Sequence, residues 1–143
     1  PVTANLNQII AEMVERYARS GKTVTTELED LPPMSLRPLA MQRLLATLID
    51  NAFHHGSAEV RVRTAHGAGE ITLSVLDRGP GIPAAGAAAA LQPFSRLNTA
   101  RGGHAGAGLG LAIAQRIVQM HGGQLELLAR SGGGLEARVT LPV

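Results

Sequence analysis

The chain has 143 residues with 13 basic and 11 acidic side chains, the size of one domain, and can bury one continuous core at a formal charge of +2. Its pI of 9.9 rests on the lone Lys22 and scattered arginines, so no basic stripe for nucleic acid is present. The absence of cysteine excludes disulfide frameworks, thiolate zinc sites and cysteine nucleophiles, the apolar runs are too short to span a bilayer, and the opening has no secretory leader pattern. In chain order, Asn5 to Arg19 repeats Leu6, Ile9, Ile10, Met13, Val14 and Tyr17 at helical spacing, with Gly21 placed to stop the helix. Lys22 to Glu29 alternates as a half-buried strand ended by Pro32 and Pro33. Leu36, Ala40, Leu44, Leu48 and Ala52 then predict a long core helix from about Ser35 to His55.

Two alternating strands follow, Val60 to Thr64 and Ile71 to Leu76, joined at Gly67-Ala68-Gly69 as a hairpin. Pro83 to Ala107 is rich in alanine and glycine with little periodicity, leaving room for a short helix over Ala87 to Leu91 within a long loop. A third helix is predicted from Gly108 to His121, and strands over Leu125 to Ala129 and Leu135 to Leu141 close the chain through Ser131-Gly-Gly-Gly. The order α-β-α-β-β-loop-α-β-β suggests an α+β, two-layer sandwich with three helices on one face of a mixed five-stranded sheet.

Three polar constellations stand out. Thr47, Asn51 and His55 form an i, i+4 stripe at the end of the core helix, with His54 beside it. The stripe reads either as an amide bonded to neighbouring backbone or as a hard oxygen ligand for Mg²⁺ beside phosphates. Asp77-Arg-Gly-Pro-Gly ends an apolar strand with a carboxylate. Local turn chemistry is one explanation, and a hydrogen bond from an exocyclic amino group, which separates adenine from guanine, is the other. Gly106-Ala-Gly-Leu-Gly-Leu opens a helix whose free N–H groups suit phosphate oxygens, although a plain hinge would use the same residues. It is not the dinucleotide fingerprint, and Arg16 denies Gly21-Lys22-Thr23 a P-loop. His66, His104 and His121 read as solvated residues of loops or helix ends.

Taken together, these motifs resemble the catalytic and ATP-binding domain of bacterial sensor histidine kinases, of the Bergerat fold shared with DNA gyrase, MutL and the heat-shock chaperone ATPase. Leu48-Ile-Asp-Asn-Ala-Phe-His-His-Gly resembles the N box, Asp77-Arg-Gly-Pro-Gly the G1 box, Pro93-Phe-Ser-Arg the F box and Gly106-Ala-Gly-Leu-Gly-Leu-Ala-Ile the G2 box. Leu36-Arg-Pro-Leu-Ala, Leu91-Gln-Pro-Phe and Ala114-Gln-Arg-Ile-Val are similar to EnvZ-type osmosensor kinases. The resemblance implies that Asn51 holds Mg²⁺ on the ATP phosphates and that Asp77 binds the adenine amino group, with Gly79 and Gly81 giving room. It further implies a mobile ATP lid over about 95–107, with Phe94 as its anchor and Arg96, Leu97 and Arg101 near the phosphates. Gly106, Ala107, Gly108, Leu109, Gly110 and Leu111 would line the phosphate end, His54 and His55 would stand where relatives carry a basic residue and a tyrosine, and Asp50 would be an auxiliary catalytic group.

The sequence departs from the family at Thr47, which replaces a second asparagine, at His54 and His55, and at Leu97-Asn98 after the F-box arginine. No histidine lies in the phosphoacceptor motif H-E-x-[RK]-[TS]-P. The acceptor and dimerisation domain, sensor and membrane helices are therefore expected upstream, in a parent on the cytoplasmic side of the bacterial inner membrane that signals to a response regulator. The implied activity is transfer of the γ-phosphoryl of Mg·ATP to a partner histidine. An anti-sigma-type serine kinase and a degenerate nucleotide-binding regulatory module are the rival readings.

Overall fold

The computed structural model describes residues 2–54, 59–78, 105–130 and 134–143, with 105–109 and 129 described as backbone alone. The elements are β1 (Val2–Ala4), α1 (Leu6–Arg19), β2 (Val24–Leu28), β3 (Met34–Leu36), α2 (Pro38–His54), β4 (Val60–Gly67), β5 (Glu70–Asp77), α3 (Ala105–Met120), β6 (Gln124–Ala129) and β7 (Leu135–Pro142). Five strands form one sheet in the order β2-β4-β5-β7-β6, with β2 parallel to β4 and the other pairs antiparallel. The expected mixed five-stranded sheet with three helices is thus found.

Sheet alternation separates the two faces. Val60, Val62, Ile71, Leu73, Val75, Val139 and Leu141 point into a core shared with Leu6, Ile10, Leu44, Leu48, Leu111 and Val118 of the helices. Between them, Arg61 and Arg63 join Glu27 in ion pairs, and Arg138 joins Glu136. The β4–β5 hairpin closes through Ala68 (φ +53°) and Gly69 (φ +77°), two left-handed residues suited to a two-residue turn.

Local chemistry explains where the boundaries differ from sequence expectation. Asn5 caps α1 by accepting the Asn7 N–H at 2.9 Å, and the helix closes with Lys22 N–H on the Tyr17 carbonyl and Gly21 N–H on that of Ala18. Because Lys22 completes that cap, β2 starts only at Val24. The core helix does not reach back to Ser35, since Arg37 precedes Pro38 and a residue before proline is pushed out of helical geometry. Met34–Leu36 instead pairs with Val2–Ala4 as a small separate sheet that the sequence did not announce. Helix α3 begins at Ala105 rather than Gly108, taking in Ala105 and Ala107, good helix formers. The short helix over Ala87 to Leu91 and residues 95–104 of the lid expected over about 95–107 lie outside the described residues, while 105–107 open α3.

Candidate nucleotide site

Three chain segments meet at one end of the sheet. Helix α2 ends at His54, shortly before Val60, and Val60 pairs with Asp77, so the last turn of α2 and the end of β5 share that end. Helices α2 and α3 run antiparallel, and a Cβ built on Gly110 would stand 3.6 Å from Thr47 Cγ2. Thr47 therefore faces Gly110 in the opening turns of α3.

Asp77 is tightly constrained on both its side chain and its main chain. It is 2% exposed, and its Oδ1 accepts the Leu135 N–H at 3.1 Å. Its main-chain carbonyl accepts from Arg130 Nη1 at 2.8 Å. Gly134, at φ +106°, lies so close that an added Cβ would be 2.0 Å from that same carbonyl oxygen. Burial and the neighbouring Arg78, Arg61 and Arg63 cations pull the Arg130 pKa down, and the Asp77 charge partly opposes them. The carboxylate is thus held in place by backbone from the start of β7, a role local turn chemistry does not explain. By sequence alone the glycines at 132–134 read only as a connector, with no part assigned to Gly134, Leu135 or Arg130. A glycine run immediately before an alternating strand was the available signal.

Asn51 and Thr47 are half-buried on α2, while His54 is exposed at its end. Asp50, on the other side of the same turn, accepts the Tyr17 hydroxyl at 2.6 Å. Burial together with that carboxylate raises the Tyr17 pKa well above its ordinary value. Tyr17 and Phe53 pack with ring centroids 6.1 Å apart, and Lys22 Nζ lies 5.5 Å from the Phe53 centroid, so Asp50 belongs to a seam tying α1 to α2.

Gly106, Ala107, Gly108, Leu109 and Gly110 occupy the first turns of α3, whose leading N–H groups have no intrahelical partner by geometry. Leu111 follows at 1% exposure, with its side chain in the core, leaving only its backbone for the site. His55, Gly79, Gly81, Phe94, Arg96, Leu97 and Arg101 lie outside the described residues. Among the described residues, no three His, Asp or Glu side chains come together to hold a metal. One histidine corrects expectation: His121 is half-buried, bonding the Ile117 carbonyl through Nδ1 at 2.8 Å and receiving the Arg37 N–H at Nε2 at 3.2 Å, because the helix cap folds it against the start of α2. His66 is exposed as expected.

Comparison with known proteins identifies the family. The profile of the histidine kinase-, DNA gyrase B- and HSP90-like ATPases matches residues 37–143. The sensor histidine kinase component HK1 of Mycobacterium tuberculosis H37Rv is 38% identical over 96% of this chain and 81% of its own length. A probable sensor histidine kinase HK of strain CDC 1551 is also 38% identical over 96% of this chain, which there spans only 36% of the relative. The histidine kinase domain of the E. coli osmosensor EnvZ superimposes with a TM-score of 0.76 at 34% identity, covering 99% of this chain and 88% of that one. The profile match over three quarters of the chain, together with these identities and the shared fold, places the chain among the histidine kinase-, DNA gyrase B- and HSP90-like ATPases, as the ATP-binding domain of a sensor histidine kinase.

Proposed function

We propose that this domain binds Mg·ATP with its adenine on Asp77 and delivers the γ-phosphoryl group to a histidine of a partner dimerisation domain. The observation that carries the reading is the fixed Asp77 carboxylate, 2% exposed and bonded to the Leu135 N–H. A buried carboxylate acceptor in a set position favours the amino group of adenine over the carbonyl that guanine offers there. The opening N–H groups of α3 would receive phosphate oxygens, supported by the helix dipole. Asn51 would offer its amide oxygen to magnesium, a metal that keeps waters and phosphate oxygens as its remaining ligands and so suits a site short of a full protein cage. When bound, magnesium supplies charge neutralisation along the phosphates.

The chain's own part in the chemistry is to position and to exclude water. The bond between the γ-phosphorus and the bridging oxygen breaks, a phosphorus–nitrogen bond forms to the acceptor imidazole, and ADP departs while the imidazole loses its N–H proton. Such transfer relies on placement more than on a strong base, so Asp50 enters only as an auxiliary, held by Tyr17. The acceptor, a response regulator downstream and a membrane-anchored parent belong to the proposal. No described helix is long and apolar enough to cross a membrane.

The test is phosphotransfer in a mixture. With labelled ATP alone, the chain is expected to stay unlabelled. With a dimerisation domain added, label should appear on the partner's histidine as an acid-labile, base-stable phosphoramidate, weakly, because mixing lacks the effective concentration of a covalent linker. Acid-stable label would favour the serine-kinase reading, and tight ATP binding with no label on any acceptor would favour a regulatory module. Asn51→Ala should remove both the transfer and the gain in nucleotide affinity on adding magnesium. An equal magnesium gain in both proteins would remove Asn51 from the metal's ligands.

A further inference from the structure

The far end of the α2–α3 pair carries a second surface. Leu39, 12 residues before Asn51 on α2, stands about 18 Å from it along the helix axis. A cleft of about 430 Å³ opens between the helices there, with Leu39, Ala40, Ile113, Ile117 and Met120 as its apolar lining and Arg43 and Arg116 at its rim. Leu39 is 79% exposed and Met120 52%, two of the five large apolar side chains left exposed among the described residues. Met120 also borders a second cleft of about 520 Å³, which reaches Met34, Arg37 and His121, so the two depressions adjoin at that side chain. Arg37, Arg43 and Arg116 are all exposed, and no Asp or Glu lines either cleft among the described residues.

We propose that these adjoining clefts are a docking site for an amphipathic helix of a partner protein whose apolar stripe is flanked by carboxylates. Two packed helices with a groove between them accept a third as ridges into grooves, with apolar anchors at i, i+4 and i+7. The floor supplies apolar area that water otherwise covers, and the three guanidinium groups select the sign of the flanks. Because the surface lies at the opposite end of the helices from Asp77 and Asn51, the partner would bind without displacing nucleotide, and α2 and α3 are elements common to both sites.

The test is an amide-resolved NMR titration of the whole chain with a synthetic helix carrying leucines at i, i+4 and i+7 and glutamates on its flanks. The expected result is saturable shifts over Leu39 to Arg43 and Ile113 to His121, little change around Asp77, and weaker binding as salt rises. Arg43→Glu with Arg116→Glu should weaken binding about three- to tenfold, since each exposed pair contributes modestly, while leaving the sheet amides unchanged. Should that double variant unfold, a peptide with lysines in place of the glutamates supplies the same comparison on the unmodified chain and should bind more weakly. Absent or non-saturating shifts in the cleft, or equal binding of the two peptides, would overturn the proposal. Concentration-dependent shifts at the same residues without peptide would overturn it in favour of a second copy of this chain.

Discussion

Two aspartates of this domain lie at the same end of the fold and differ in everything that sets their use. Asp77 is 2% exposed at the end of a central strand, with a backbone N–H on its carboxylate and a glycine pressed against its carbonyl. Asp50 is exposed on the surface of α2 and accepts a phenol from α1. A carboxylate fixed by backbone in a sheet can discriminate the edge of a base, because the geometry costs nothing further to hold when the ligand arrives. One held by a side chain across a helix seam fastens two elements. The difference lies in who supplies the partner, not in the residue type.

The hardest way to break the comparison is to push on the backbone behind Asp77. Gly134→Ala would place a Cβ 2.0 Å from the Asp77 carbonyl oxygen at a φ of +106°, so the start of β7 must move. Denaturant unfolding should show a loss of about 3 kcal/mol or more, with ATP affinity falling as Asp77 shifts. Unchanged stability would mean that the close approach does not exist.

A smaller effect is expected at Glu136 on the outer face of the sheet. Burial raises its pKa, but hydrogen bonds from Arg138 and Ser74, with the charges of Arg138 and Arg63, more than offset this, and the net shift is downward. A depressed folded value means that the stabilisation is complete above the ordinary carboxylate pKa of 4.5 and is lost as pH falls through the folded value. Glu136→Gln should therefore cost about 1 kcal/mol at neutral pH and progressively less toward pH 3. A cost independent of pH would assign the effect to packing.

The smallest effect belongs to the Asp50 seam. Tyr17 is the only tyrosine, so an absorbance titration reads it alone. Its midpoint should lie above the ordinary 10.0, through burial first and Asp50 second, and should fall toward that value in Asp50→Asn. Because the raised value stabilises the fold below the ordinary pKa and is lost as pH rises through the folded one, Tyr17→Phe should cost no more than about 1 kcal/mol at pH 7, with ATP affinity unchanged. A large loss of nucleotide binding would bring the seam into the site and dissolve the contrast with Asp77.

Much of this was legible in the residues because periodicity reports burial directly. Val60-Arg-Val-Arg and Ile71-Thr-Leu-Ser-Val alternate because one face meets the helices, and the spacing of Leu44, Leu48 and Ala52 marks the face of α2 in the core. The strands β1 and β3 were not legible, since three residues hold too little of a period to distinguish a strand from a loop. Asp77 and Asn51 could be named from their motifs, but the partners of Asp77 could not. Leu135 is 58 residues away, and its contribution is a main-chain N–H that every residue but proline has. The cap that draws His121 onto Arg37 was hidden for the same reason, as it joins two helix ends far apart in sequence.

The central claim is that the Asp77 carboxylate reads adenine, and calorimetry of ATP and GTP binding to the parent, Asp77→Asn and Asp50→Asn tests it most directly. The Asp77→Asn side chain keeps the shape but can present a donor to the adenine amino group, so losing a charge-assisted hydrogen bond of about 1.5 to 3 kcal/mol should weaken ATP roughly 10- to 150-fold. The preference for ATP over GTP should shrink with it, while Asp50→Asn leaves both unchanged. Parental ATP affinity and selectivity in a folded Asp77→Asn protein would contradict the account.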